Sequence, residues 1–209
     1  MKKSSKGVLI EGAEGNIELR YHTVSDDEQA VKLVVLSHPH PLYGGTMNNK
    51  VVTTMERAFH ALGYVTIAYN FRGVGKSEGE YDHGHGEQED LMAVVDWARQ
   101  QFNVEHLTLA GFSFGSYVSL KAQSKIEVQA LCTVAPPVGL YDFADIDPVK
   151  IPWVLIQGGQ DEVVEAKGIV DWAISLEHSP DIYWRANAGH FFHGELIWLK
   201  QNILLIFKE

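Results

Sequence analysis

The run Leu107-Thr108-Leu109-Ala110-Gly111-Phe112-Ser113-Phe114-Gly115-Ser116 decides how the chain folds. Its first four residues read as the end of a buried strand, and residues 116–123 read as a helix. Between them stands Gly-x-Ser-x-Gly. A serine there sits on a sharp strand-to-helix turn with its hydroxyl raised toward solvent. The bend is too tight for side chains two residues to either side, which explains Gly111 and Gly115. With 19 Gly in 209 residues the pentapeptide alone is a weak signal, and its context does the discriminating.

Outward from this turn, short apolar runs alternate with helical spacings. Strands are predicted at residues 8–10, 17–21, 31–37, 64–69, 128–134, 153–157 and 182–184. Helices are predicted at 51–62, 88–102, 163–174 and 192–207. A long loop spans 38–49, and a glycine-laden one spans 70–86. Strand–helix alternation implies crossover connections, hence a mostly parallel twisted sheet with helices on both faces. No repeat, low-complexity run or linker divides the chain, so one α/β domain over residues 1–209 is expected.

Apolar residues make up 45% and charged residues 21%, ordinary for a globular protein. The formal net charge of −10 argues against nucleic acid or an anionic membrane as partner. The single cysteine, Cys132, sits in an apolar run and reads as a core thiol. The basic start Met1-Lys2-Lys3-Ser4-Ser5-Lys6 is not followed by an apolar segment. A cytoplasmic location is therefore expected. Oligomeric state is not readable from one chain.

A serine hydroxyl needs a base to take its proton and an acid to orient that base. After the strand at 153–157 comes Gly158-Gly159-Gln160-Asp161-Glu162-Val163-Val164. Asp161 is thus on a loop at a strand's C-terminal end, where ligand chemistry sits in open α/β sheets. The same position suits a helix N-cap. Glu162 is a rival acid, and Asp142, Asp145 and Asp147 precede the strand. After the strand at 182–184 comes Ala186-Asn187-Ala188-Gly189-His190-Phe191-Phe192. His190 lies on that loop, with His193 as competitor in the first turn of the last helix.

The charge developing on an acyl oxygen needs two donors. One is expected from the backbone N–H of Phe114. The other is expected from the loop His38-Pro39-His40-Pro41-Leu42-Tyr43-Gly44-Gly45-Thr46. Pro39 and Pro41 have no N–H, which leaves His40 or Leu42, with His40 preferred. Tyr43, Phe112, Tyr141, Phe143 and Phe191 are candidate pocket rings, although aromatic side chains more often fill cores. His38-x-His40 and His83-x-His85 have spacings that suit a metal, with Glu87, Glu89 and Asp90 near the second pair. A Gly-rich loop carries that second pair.

The chain resembles the α/β-hydrolase superfamily, in particular small lidless bacterial carboxylesterase-like members. The resemblance covers nearly the whole chain and rests on five ordered segments. These are His38-Pro39-His40-Pro41 with Gly44-Gly45-Thr46-Met47, then Asn70-Phe71-Arg72-Gly73-Val74-Gly75-Lys76-Ser77, residues 111–115, residues 158–164, and Gly189-His190. It implies an α/β-hydrolase fold without a cap domain, Ser113 as nucleophile, Asp161 as acid and His190 as base. It also implies hydrolysis of carboxylic esters through an acyl-enzyme, with a small-molecule substrate and without metal or other cofactor. It accounts for the first His-x-His pair, and makes Arg72 part of a shaped turn. Pro39 departs from the glycine that many superfamily members carry after the loop histidine. The connection 135–151 is too short for a cap domain, so an open site for short acyl chains is expected. Thioester hydrolysis, amide cleavage and acyl transfer could use the same three residues. A non-catalytic binding protein on this fold usually lacks one of them.

Overall fold

The computed structural model describes residues 5–24 and 31–208; the basic start at 1–4 lies outside them. The described strands are β1 (Ser5–Gly12), β2 (Gly15–His22), β3 (Val31–Ser37), β4 (Val65–Tyr69), β5 (Val104–Phe112), β6 (Ala130–Val134), β7 (Trp153–Gly158) and β8 (Asp181–Arg185). They form an eight-stranded sheet in the order β1-β2-β4-β3-β5-β6-β7-β8. β1 and β2 pair antiparallel with each other, and β2 pairs antiparallel with β4. From β4 to β8 every pairing is parallel.

The helices are α1 (Lys50–Ala61), α2 (Gly86–Gln101), α3 (Phe114–Ala122), α4 (Ala166–Ser175) and α5 (Leu196–Ile206). The period-2 pattern of the strands sends neighbouring residues to opposite faces. Leu33 and Val35 join one core with residues of α2, α3 and α4. Val34 and Leu36 join the other, with residues of α1 and α5. Each such buried aliphatic side chain is worth roughly 1.5–3 kcal/mol, so a register slip that exchanged the faces would be costly. The parallel register sets Ser37 opposite Gly111, Phe112 opposite Val134, and Gly158 opposite Arg185. The loops that follow these strands therefore meet along one edge.

Several ends differ from the sequence expectation. α4 starts at Ala166 rather than 163, because Glu165 is extended, at φ −62° and ψ 106°, and breaks the turn that Asp161 opens by accepting from the N–H groups of Val163 and Val164. α5 starts at Leu196 rather than 192, because Phe192 and Gly194 have φ of 51° and 77°. The loop after β3 contains a short 3-10 turn, Pro41–Tyr43. Residues 135–152 form an irregular connection with one bridge, Val138 to Tyr141. Among the described residues no helix is long and apolar enough to cross a membrane. Cys132 is fully buried on β6, and burial pushes its thiol up to about 12.

Candidate active site

Ser113 stands between β5 and α3 with φ 52° and ψ −119°. A non-glycine residue there costs of order 1–3 kcal/mol and must be held by its surroundings. The holding contacts are specific. Ser113 N–H donates to Val134 O at 2.8 Å. The Ser116 hydroxyl donates to Gly111 O at 2.7 Å and accepts from Val134 N–H at 3.2 Å. A Cβ on Gly111 would collide with Gly115 O, and one on Gly115 would collide with Ser37 O. Both glycines are thus required by close approach of backbone, and α3 begins hard against the end of β3.

Asp161 follows β7 and its carboxylate is saturated. Oδ1 accepts from Val163 N–H at 2.9 Å and Val164 N–H at 2.8 Å. Oδ2 accepts from His190 Nδ1 at 2.8 Å and Gln157 Nε2 at 3.0 Å. Burial pushes this carboxyl up, but the His190 hydrogen bond and charge and the two backbone N–H groups outweigh it. Its pKa ends below the usual carboxylate range.

His190 follows β8 and is buried between Phe112 and Phe191, each with its ring centre 5.1 Å away. An ionised carboxylate only accepts, so Nδ1 carries the proton toward Asp161. Nε2 is left as acceptor, and it lies 3.0 Å from Ser113 Oγ. Ser113, His190 and Asp161, which come from three distant loops, are thereby joined in one hydrogen-bonded line.

The rivals fall elsewhere. Glu162 touches not the imidazole but the backbone, accepting from His190 N–H at 3.0 Å. His193 is exposed, stacks on Phe191 and precedes α5 rather than lying in its first turn. Asp147 accepts from the Ser124 hydroxyl. Gln157 and Ser116 were not singled out from sequence. Gln157 had one signal, a polar side chain ending an otherwise apolar, wholly buried strand.

In the loop after β3 both nitrogens of His38 are committed. Nδ1 donates to Pro39 O at 2.6 Å, and Nε2 accepts from Phe71 N–H at 3.0 Å. Burial lowers the His38 pKa to about 4 despite the Pro39 hydrogen bond. Leu42 N–H donates to His40 Nδ1 at 3.1 Å and is used up. Among the described residues the N–H groups of His40 and Phe114 have no intramolecular acceptor. Of the two candidates in this loop, His40 is therefore the one with a donor to offer.

The pocket rings divide. Tyr43 is 86% exposed and lies against His40. Tyr141 packs against Phe114 and Tyr117. Phe112 is fully buried beneath His190, and Phe191 is exposed beside it. Phe143 is not with them. It packs on Tyr117 and Trp172 and lines a cleft with Trp153, at the opposite end of β7. Arg72 is buried and structural: its guanidinium donates to Asp90 at 2.9 and 3.1 Å, and its N–H donates to the same carboxylate at 2.9 Å. Burial opposes the charge, but Asp90 raises the Arg72 pKa above its ordinary value. His83 packs at a tilt against Tyr81, with ring centres 4.9 Å apart, and its φ is 53°.

A mostly parallel sheet with helices on both faces, a strained serine after a central strand, and an imidazole–carboxylate pair at the same edge define a serine hydrolase of the α/β fold. Residues 21–146 match the family of X-Pro dipeptidyl-peptidases, the S15 family, and the chain belongs to that family of α/β hydrolases. It is 40% identical to an α/β serine hydrolase without lid from Xanthomonas campestris, with a TM-score of 0.90 over 97% of this chain and 93% of that one. It is 42% identical to an α/β serine hydrolase homologue from Coxiella burnetii, also at a TM-score of 0.90, covering 97% of both chains. An uncharacterised protein of Rickettsia prowazekii is 37% identical over 88% of this chain and 81% of its own length.

Proposed function

We propose that this protein hydrolyses carboxylic esters with small acyl groups through an acyl-enzyme on Ser113. The observation that carries the reading is the continuous line Ser113 Oγ, His190 and Asp161, at 3.0 and 2.8 Å. His190 Nε2 takes the hydroxyl proton as Oγ bonds to the acyl carbon. The resulting oxyanion is met by the N–H groups of Phe114 and His40. Collapse breaks the ester bond, and the imidazolium returns its proton to the departing alkoxide. A water then repeats the sequence, releasing the acid and freeing Ser113. Asp161 stays ionised throughout and fixes the ring's tautomer.

The irregular connection 135–152 supports an open mouth. An ester is also the easier substrate for this triad, because an alkoxide leaves more readily than an amine, which must be protonated as it departs. The family match favours a second reading, cleavage of an X-Pro peptide bond on the same residues. The proposed partner is a small ester alone; the net charge of −10 suits neither nucleic acid nor an anionic membrane. With one cysteine, the chain can form no internal disulfide, which supports a cytoplasmic site of action.

A p-nitrophenyl ester series from acetate to palmitate, run beside an X-Pro p-nitroanilide, tests the proposal. Acetate to butyrate should turn over fastest, and a fluorophosphonate should label Ser113 and stop the reaction. Preference for palmitate would contradict the small-acyl reading. Faster release from the anilide would replace it with the peptidase.

A further inference from the structure

We infer that the His40 imidazole is a positioning residue: it shapes the second half of the oxyanion pocket by closing the turn that frees its own N–H. The inference rests on the acyl-transfer reading of Ser113.

The turn is built around this one side chain. His40 Nδ1 accepts from Leu42 N–H at 3.1 Å. Its carbonyl accepts from Tyr43 N–H at 3.2 Å and from Gly45 N–H at 3.0 Å. Gly44 turns the chain back at φ 78°, and a Cβ on Gly45 would collide with Pro39 O. Pro39 and Pro41 remove the neighbouring donors. Every N–H from Leu42 to Gly45 is thus turned inward, and that of His40 is left over.

The ring also joins the two halves of the pocket. It packs against Phe114 at 5.3 Å, the residue whose N–H is the other donor. Tyr43 at 4.6 Å holds it from within the same turn, and Tyr81 at 4.8 Å holds it from the 70–86 loop. Tilting the imidazole would move the loop's donor relative to the donor on α3. An oxyanion donor displaced by about 1 Å loses most of its worth, because its value depends on meeting the oxygen only where charge develops.

The chain supplies its own control for the acceptor role. Asn49, with φ −53° and ψ 141°, accepts from Val51 N–H at 2.8 Å. His40 has φ −50° and ψ 123° and makes the same contact to the residue two places on. Asparagine therefore fits position 40 as an acceptor without the ring, and phenylalanine fits as a ring without the acceptor.

The experiment compares wild type with His40→Asn and His40→Phe. It reads kcat and KM on p-nitrophenyl butyrate, fluorophosphonate labelling of Ser113, and hydrogen exchange of the Leu42 amide. His40→Phe should lower kcat about 10²–10³-fold. Its KM should stay within about threefold, and the Leu42 amide should lose protection. His40→Asn should keep that protection and recover kcat to within about tenfold of wild type. A His40→Phe variant with wild-type kcat, a loss confined to KM, or no recovery in His40→Asn would overturn this inference alone, provided wild type labels and turns over. Wild type that does neither overturns the reading beneath it, and this inference with it.

Discussion

His190 and His38 are both buried imidazoles at the same edge of the sheet, with both ring nitrogens engaged. Their partners separate them. His190 has a carboxylate on one nitrogen and a serine hydroxyl on the other. His38 has a backbone carbonyl on one and a backbone N–H on the other. A proton arriving at His190 Nε2 makes a cation that Asp161 offsets. A proton arriving at His38 Nε2 displaces the Phe71 hydrogen bond, and the neutral backbone offers no counter-charge. One ring is therefore equipped to carry a proton and the other to brace two loops. The lesson is that an imidazole's task is set by what holds its second nitrogen.

The sharpest break of that contrast is to remove the proton-carrying side. Ser113→Ala and His190→Ala should each lower kcat about 10⁴–10⁶-fold with the fold retained, and the double variant should lose little more. Ester hydrolysis under saturating substrate, with circular dichroism as the folding check, measures this. Wild-type turnover in Ser113→Ala would refute the mechanism.

Removing only the counter-charge is a milder test. In Asp161→Asn the amide can offer a donor to Nδ1, which selects the wrong tautomer of His190. A fall of about 10²–10⁴-fold in kcat is expected, with KM little changed. Val163 and Val164 N–H lose a charged acceptor, so a small drop in thermal midpoint should accompany it. If Asp161→Asn retained full activity, the distinction drawn between the two histidines would fail.

What could be read from the sequence follows the range of the forces involved. The turn around Ser113 was legible because its signals are local: an apolar strand, two glycines, a helix. The positions of Asp161 and His190 were legible because strand alternation puts the loops after β7 and β8 at the same edge as Ser113. The start of α4 was not, because nothing local in the sequence marks Glu165 as extended; its backbone is set by the packed fold. The tasks of Gln157, Glu162 and Ser116 were hidden for the same reason. Each depends on a hydrogen bond whose partner is fixed only by the fold. Phe143 shows the limit of composition, since an aromatic in the right connection packs against Trp172 in a different cleft.

The smallest effect tests the bracing side. Burial holds the His38 pKa at about 4, below its ordinary 6.5. Between those values the unfolded chain binds a proton that the folded one refuses. Stability is then complete above about 6.5 and is lost as pH falls toward 4. That gap, at about 1.4 kcal/mol per factor of ten, corresponds to roughly 3 kcal/mol. Urea unfolding of wild type at pH 7 and pH 4.5 should show most of this loss. His38→Gln has no proton to refuse, so its stability should change less over the same interval, by roughly 2 kcal/mol. Its stability at pH 7 should be lower than wild type by about 1–3 kcal/mol, because the Phe71 N–H loses a well-placed acceptor. Its kcat on a short ester, measured at neutral pH where it is folded, should fall far less than that of His190→Ala. Equal slopes in the two proteins would mean that His38 is not the group that titrates. A kcat loss as deep as that of His190→Ala would mean that the brace and the proton carrier are not separable parts of this site.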